Sequence, residues 1–214
     1  MKKIKNFIIE NKRIIIASIS IIVVIAILED VFDGEIMKCD TIAYSIIMNL
    51  RNKWITPIMK IITNLGSAIA LLSVSFAALI FVRNKKIGAC ITANLVIITI
   101  LNLLLKNIVQ RPRPEGYRII SELGYSFPSG HSMVSTASYG LIIYLIFKNV
   151  KNNKIKWTTG TLLGIITIAI CFSRVYLGVH YASDVIAGFF TALAYLMLMT
   201  KITYKIINSK KDSI

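Results

Sequence analysis

The sequence is poor in the residues that build metal sites and disulfide frameworks. Only two histidines and three cysteines occur among its 214 residues. The cysteines form no CxxC pair, and Cys90 and Cys171 lie inside apolar runs, where cysteine acts as a small hydrophobe. No His-Glu-x-x-His run is present. We therefore expect neither a disulfide framework nor a bound metal, and the sequence indicates no other cofactor.

Acidic residues are also scarce. The chain has ten Asp and Glu against 25 Lys and Arg, a formal net charge of +15. Such an excess suits nucleic-acid binding, but here the basic residues lie in short clusters between apolar runs rather than along one face. Hydrophobic residues make up 56% of the chain, more than a water-soluble domain usually contains. We predict an integral membrane protein that binds no nucleic acid, with residues 1–214 forming a single domain.

The apolar runs predict an all-α, polytopic bundle of six membrane-spanning helices. They cover residues 14–28, 61–82, 87–105, 132–147, 157–172 and 185–200. No small-residue cleavage site follows the first run. We therefore interpret this run as a retained span whose helix begins near Phe7.

The first loop contains a further helical pattern at residues 41–50. Its apolar side chains fall on one stripe: Ile42, Ala43, Ile46, Ile47 and Leu50. Asp40 precedes the stripe and is a candidate N-cap. The pattern predicts a short interfacial helix in the first outer loop. A connector packed on the bundle fits equally well.

The distribution of charge predicts the orientation in the membrane. Six spans put both termini on one side, and that side holds 16 of the 25 basic residues. Eight of the ten acidic residues lie on the other side. Because basic residues favour the cytoplasmic face, we predict a multi-pass protein of the cell membrane with cytoplasmic termini. Both histidines then lie outside the cytoplasm.

Three polar clusters fall at the outer ends of the predicted spans. Residues 106–114 read Lys-Asn-Ile-Val-Gln-Arg-Pro-Arg-Pro, and residues 127–131 read Phe-Pro-Ser-Gly-His. The third cluster contains Arg174, His180 and Asp184. Each cluster alone fits a structural role as a basic cap, a helix start or an ion pair. Together they place both histidines beside the outer arginines, which favours a shared site.

A phosphate site explains the clusters jointly. Lys106, Arg113 and Arg174 would gather on a multiply charged oxyanion, because guanidinium groups make planar two-point contacts with phosphate. Ser129 and the amides of Gly130 and His131 would add donors at a helix N-terminus.

The histidines supply the chemistry in this interpretation. His180 would attack phosphorus, while Asp184, four residues later on one helix face, holds its tautomer. His131 would protonate the departing oxygen, and water would later release the phosphoryl group.

The three clusters resemble the signature motifs of the type 2 phosphatidic acid phosphatase superfamily. The matching residues are Lys106-x6-Arg113-Pro114, Pro128-Ser129-Gly130-His131 and Ser173-Arg174-x5-His180-x3-Asp184. The resemblance implies a six-span bundle and metal-independent hydrolysis through a phosphohistidine at His180, with His131 as the acid. It also implies phosphate binding by Lys106, Arg113, Ser129, Gly130 and Arg174. Residues 111–114 and 176–181 look most similar to bacterial phosphatidylglycerophosphate and undecaprenyl diphosphate phosphatases.

We expect a lipid phosphatase whose best substrate is undecaprenyl diphosphate, with phosphatidylglycerophosphate as the alternative main substrate. Arg111 and Arg118 are left over once one phosphate is bound, so they either hold a second phosphate or are solvated loop charges. Two other classes stay open, a carrier or flippase for anionic lipid and a non-catalytic lipid sensor. The sequence does not indicate an oligomeric state.

Overall fold

The structure, a computed structural model, describes residues 2–34 and 36–209, so the ends of the predicted domain lie outside the described residues. Throughout these residues the regular structure is helical, without a β-strand, which confirms the predicted all-α class. The helices in chain order are α1 (Lys2–Phe32), α2 (Lys38–Leu50), α3 (Ile55–Asn64), α4 (Ala68–Phe81), α5 (Lys85–Val109), α6 (Gly130–Asn149), α7 (Asn153–Tyr176) and α8 (Ala182–Asn208).

Within the described residues, five helices are individually long and apolar enough to cross a membrane. They are α1, α5, α6, α7 and α8. The α3 and α4 helices reach this length only as a pair, and they meet at an angle of 45°. If the bent pair counts as one span, the described chain has the six spans that the sequence predicts.

The predicted span over residues 61–82 is divided between two helices, because the chain breaks at residues 65–67. Ser67 accepts a hydrogen bond from the amide of Ala70 at 3.2 Å and so caps a new helix. Gly66 packs tightly at the break, where a Cβ would lie 2.7 Å from the hydroxyl of Ser135 and 3.3 Å from Cδ2 of His131. The break therefore brings backbone against the predicted catalytic histidine.

The other predicted runs are confirmed, and each helix extends beyond its run because polar residues continue it at both ends. Asn84, Ser129 and Asn152 precede α5, α6 and α7. Each side chain accepts a hydrogen bond from an amide in the first turn that follows. These caps satisfy amides that lack partners within their own helices.

The α2 helix differs from its prediction in two respects. It begins at Lys38, so Asp40 lies in the first turn, fully buried, and is not the N-cap. The predicted stripe is also divided, because Ile47 is buried beside Tyr44 whereas Ile42 is exposed. Packing of α2 on α7 and α8 fits the connector interpretation. Its exposed residues include both apolar and polar side chains, as an interfacial helix requires.

The α6 helix lies at the centre of the bundle, in contact with α5, α7 and α8. Small residues allow the close approach: a Cβ at Gly140 would lie 2.5 Å from a methyl group of Leu196, and one at Gly188 would lie 2.9 Å from the carbonyl of Ser129. This packing fixes the start of α6 against the start of α8, where the sequence places His131 and Asp184.

The turn between α7 and α8 is docked on the long connection between α5 and α6. The amide of Ile119 donates to the carbonyl of Leu177 at 2.9 Å. Gly178 has a positive φ of 74°, and a Cβ there would lie 1.9 Å from the carbonyl oxygen of Tyr117. Glycine at this position permits both the turn and the docking.

We expect Gly178→Ala to destabilise the protein by about 3 kcal/mol, because it combines backbone strain with a steric clash. Gly116→Ala is the matched control, since Gly116 has a φ of 79° and no atom near its missing Cβ. That variant should lose only about 1 kcal/mol from backbone strain. Thermal unfolding in detergent measures both, and equal losses would show that the docking contributes nothing.

Candidate active site

The three polar clusters come together at one end of the bundle. The amide of Ser129 at the start of α6 donates to the carbonyl of Asp184 in α8 at 3.1 Å. Arg113, from the connection between α5 and α6, reaches His180 in the turn between α7 and α8. Arg174 at the end of α7 pairs with Glu122 of the same connection. Segments distant in sequence thus form one polar site.

The ring of His180 is held with its two nitrogens in different environments. Nε2 lies 3.2 Å from a terminal nitrogen of Arg113, and Nδ1 lies 3.5 Å from Oδ2 of Asp184. Arginine only donates hydrogen bonds, so the favourable tautomer leaves Nε2 unprotonated and places the proton on Nδ1. The unprotonated Nε2 therefore faces Arg113, a predicted phosphate-binding residue.

His180 is almost completely buried, with 2% of its surface exposed. Burial lowers the pKa of His180 to about 4, although the neighbouring Asp184 opposes the change. The imidazole is therefore neutral at neutral pH, as a nucleophile must be.

Asp184 contacts His180 by a different route from the one predicted. The α8 helix starts at Ala182, so His180 precedes it and the two residues do not share a helix face. Oδ2 of Asp184 accepts a hydrogen bond from the amide of Tyr181 at 2.9 Å. It also accepts one from the hydroxyl of Ser126. The carboxylate thus caps its own helix while it faces the histidine.

Backbone carbonyls hold two of the three predicted phosphate-binding cations. Arg113 donates to the carbonyls of Val179 and Gly124, each at 2.9 Å. Lys106 donates to the carbonyl of Tyr125 at 2.5 Å. Burial lowers the pKa of Arg113, and the charge of Arg174 lowers it further. These contacts orient the side chains of Arg113 and Lys106. They leave the positive charges unbalanced, because carbonyl groups carry no formal charge.

Arg174, the third cation, is paired with a carboxylate. It donates to Glu122 at 2.6 Å and to the hydroxyl of Thr63 at 2.7 Å, while 1% of its surface is exposed. Its Nε is buried without a hydrogen-bond partner among the described residues. Burial raises the pKa of Glu122, but the bond to Arg174 and the charges around it hold that pKa below its usual value. Glu122 is thus an internal anion in the cationic cluster.

Ser129 and Gly130 form the start of α6. Ser129 is fully buried, and its hydroxyl accepts from the amide of Ser132 at 3.4 Å. A Cβ at Gly130 would lie 3.0 Å from Oδ1 of Asn102 and 3.9 Å from Cε of Lys106. The backbone of Gly130 therefore passes close to a predicted phosphate-binding lysine.

His131 lines an apolar cavity of about 400 Å³. The cavity lies between α4, α5 and α6, and its lining includes Leu71, Leu95, Val96, Ile100 and Val134. His131 thus borders an apolar cavity and is also close to the charged groups of the polar site.

Neither interpretation of Arg111 is correct. Arg111 is buried and paired with two carboxylates, Asp40 and Asp184, so it is neither a solvated charge nor free for a second phosphate. Arg118 is exposed, and its Nε donates to the carbonyl of Pro114 at 2.8 Å.

Sequence reasoning also missed Thr63, Glu122 and Ser126 as neighbours of the site. Ser126 directly precedes the Phe-Pro-Ser-Gly-His cluster, which is the one local signal that could have indicated it. The described residues include no group of three His, Cys, Asp or Glu side chains placed to hold a metal ion.

Fold and site together define a polytopic membrane protein with a buried cluster of histidine, arginine and acidic side chains at one end of the bundle. Residues 86–208 match the PAP2 superfamily. Phosphatidylglycerophosphatase B of Bacillus subtilis is 32% identical over 73% of this chain and 79% of its own length. The chain belongs to the PAP2 superfamily and is a membrane phosphatase.

Two further comparisons agree with this assignment. Undecaprenyl-diphosphatase of Sulfolobus acidocaldarius is 32% identical over 61% of this chain and 62% of its own length. The crystal structure of a transmembrane PAP2 type phosphatidylglycerolphosphate phosphatase from Bacillus subtilis superposes with a TM-score of 0.78 and 29% identity. That alignment covers 91% of this chain and 97% of the crystallised one.

We expect Glu122→Gln to tighten the binding of vanadate, a mimic of the phosphoryl transition state, by about tenfold. The carboxylate competes with a bound anion for Arg174, and the amide competes less. Inhibition constants for vanadate measure the effect, with Glu115→Gln as a control that removes one exposed charge from the same connection. Weaker binding in a folded Glu122→Gln protein would show instead that Glu122 prepares Arg174 for the anion.

Proposed function

We propose that the protein hydrolyses the terminal phosphate of a lipid phosphate or diphosphate through a phosphohistidine at His180. The observation that carries this proposal is the 3.2 Å contact between Nε2 of His180 and Arg113. An anion bound by that guanidinium lies beside the attacking nitrogen. The contacts of Arg113 with carbonyls hold this arrangement before substrate binds.

In the first step, the lone pair of Nε2 attacks phosphorus. The bond from nitrogen to phosphorus forms, the bond from phosphorus to the lipid oxygen breaks, and His131 donates a proton to that oxygen. Asp184 stabilises the positive charge that develops on the ring of His180. The remaining proposed residues bind the phosphoryl oxygens: Lys106, Arg113, Ser129, Gly130 and Arg174.

In the second step, water attacks phosphorus and His131 accepts its proton. The bond to Nε2 breaks and inorganic phosphate leaves. Because side-chain cations offset the charge on the phosphoryl group, we expect hydrolysis to continue in EDTA.

The apolar cavity beside His131 supports a lipid as the leaving group. A lipid chain bound in this cavity, between α4 and α6, would bring the leaving-group oxygen close to His131. The carrier and sensor alternatives explain the cations but give no reason for a neutral histidine held by a carboxylate.

The preferred substrate in this proposal is undecaprenyl diphosphate, with phosphatidylglycerophosphate and phosphatidic acid also cleaved. Relatives named for a prenyl diphosphate and for phosphatidylglycerophosphate both support this range. With Arg111 enclosed, Arg118 is the cation left to contact a second phosphate within the described part of this connection. An outward-facing site would meet undecaprenyl diphosphate where it is released during wall assembly.

Replacing His180 and replacing His131 should affect hydrolysis differently. His180→Ala removes the nucleophile, so hydrolysis of every substrate should fall to background. His131→Ala should retain turnover of p-nitrophenyl phosphate, because a good leaving group needs no proton. Equal loss in two folded variants would contradict these roles.

The pH dependence of the His131→Ala protein adds a check on His180. Its neutral form is reactive and its pKa is about 4, so kcat/KM should fall only as the pH drops through about 4. The profile must be corrected for ionisation of the substrate. An acid limb near the ordinary histidine pKa would exclude the buried, neutral nucleophile.

The substrate ranking predicts that kcat/KM is highest for undecaprenyl diphosphate among the three lipids, measured in one detergent. Arg118→Ala should lower the value for the diphosphate several-fold more than the values for the two monoesters. Lys53→Ala serves as a control that removes another exposed cation. A clear preference for phosphatidylglycerophosphate would overturn the ranking and leave the catalytic roles standing.

The proposed orientation places this site outside the cytoplasm, with both termini inside. In a protein without native cysteines, Leu123→Cys should react with an impermeant thiol reagent added to intact cells, because Leu123 is 93% exposed beside the site. Lys151→Cys, between α6 and α7, should react only after the cells are opened. The reverse pattern would place the site in the cytoplasm.

A further inference from the structure

A fully buried carboxylate lies outside the segment that matches the PAP2 superfamily. Asp40 belongs to α2, whereas the match begins at residue 86. A buried charge is costly unless it is paired and hydrogen-bonded. Oδ1 of Asp40 accepts from the amide of Ser183 at 2.8 Å, and Oδ2 accepts from the hydroxyl of Ser183 at 2.8 Å. Oδ2 also accepts from Arg111 at 3.2 Å.

Arg111 joins this carboxylate to Asp184. One terminal nitrogen donates to Oδ1 of Asp184 at 2.7 Å and to the hydroxyl of Ser183 at 2.8 Å. The other terminal nitrogen donates to Asp40. The guanidinium also lies 4.2 Å from the centre of the Tyr181 ring, and 7% of the residue is exposed. The guanidinium of Arg111 is therefore buried and hydrogen-bonded within the protein.

Both oxygens of Asp184 are consequently fixed. Arg111 binds Oδ1, while Ser126 and the amide of Tyr181 donate to Oδ2, the oxygen that faces Nδ1 of His180. With Oδ1 held, the carboxylate cannot rotate Oδ2 away from the ring. Arg111 thus acts on His180 through Asp184.

The positive charge of Arg111 must be balanced by a second carboxylate if Asp184 is to stabilise positive charge on the ring of His180. Without Asp40, the guanidinium would offset the negative potential that Asp184 exerts on the ring. Asp40 adds a second negative charge, so the cluster of Asp40, Arg111 and Asp184 is net negative. Arg111 can therefore orient Asp184 without cancelling its effect on His180.

We propose that Asp40 and Arg111 are positioning residues for the reaction, with Arg111 fixing Asp184 against His180 and Asp40 orienting Arg111 and offsetting its charge. This inference rests on the proposed role of His180 as nucleophile. It gives α2 a part in the reaction, although that helix lies outside the matched segment.

Asp40→Asn tests the inference with little change of shape. We expect kcat for the best lipid substrate to fall about 10- to 100-fold, with KM and the vanadate inhibition constant unchanged within about twofold. The acid limb of kcat/KM should move to lower pH, because loss of a negative charge disfavours the protonated form of His180. Asp33→Asn, which removes an exposed acid from the connection between α1 and α2, should change none of these values.

Other charges around His180 stay in place in the Asp40→Asn protein, so the shift reports on Asp40. The charged and titratable groups that face His180 are Asp184 of α8, Arg174 of α7, His131 of α6, Arg113 of the connection between α5 and α6, and Tyr44 of α2.

A double variant keeps the test decisive if a single change impairs folding. Arg111→Gln leaves two buried carboxylates facing each other, whereas Asp40→Asn with Arg111→Gln keeps the net charge of the cluster. We expect the double variant to lose about as much kcat as the worse single variant that folds, since the two residues act as a unit. Additive losses in kcat would overturn the inference.

Two further outcomes separate this inference from the proposed function. Wild-type kcat and an unmoved acid limb in Asp40→Asn, with His180→Ala inactive, would overturn the positioning role alone. An active His180→Ala protein would overturn the proposed function and the inference with it.

Discussion

The carboxylate of Asp184 is the contact on which the site depends. Its side chain meets Arg111, Ser126 and His180, and its own carbonyl accepts from the amide of Ser129 at the start of α6. One residue therefore ties together the starts of two helices, a long connection and the reactive ring. Since these bonds are buried, losing the carboxylate would leave several donors without partners, at a cost of about 1–3 kcal/mol each.

Much of this arrangement could be predicted from the sequence because apolar length and motif order are local signals. The all-α class, the six apolar runs and the grouping of Lys106, Arg113, His131, Arg174 and His180 followed from them. The break at Gly66 was missed because an average of hydropathy over residues 61–82 conceals Asn64, Gly66 and Ser67, which interrupt the apolar run. The close packing of Gly66 against α6 and α7 depends on the tertiary fold. Hydropathy measures transfer into lipid and does not measure how closely two helices approach.

Asp40 and Arg111 show a different limit of sequence reasoning. Each has a plausible local role, the one as a helix cap and the other as a loop charge. Their pairing spans 71 residues of sequence, and no local pattern encodes it. Glu122 is similar, since its contact with Arg174 depends on how the connection between α5 and α6 folds back. Buried ion pairs follow from the tertiary fold, so they are the part of such a site that residue spacing misses.

The position of Asp40 has a consequence for what counts as the transferable unit of this protein. The segment 86–208 contains the signature motifs, yet one of the two carboxylates paired with Arg111 comes from a helix that precedes it. A chimera that received only that segment would enclose Arg111 with Asp184 but without Asp40. A chimera that takes Arg111 from this chain should therefore also take Asp40 of α2, although Asp40 lies outside the matched segment.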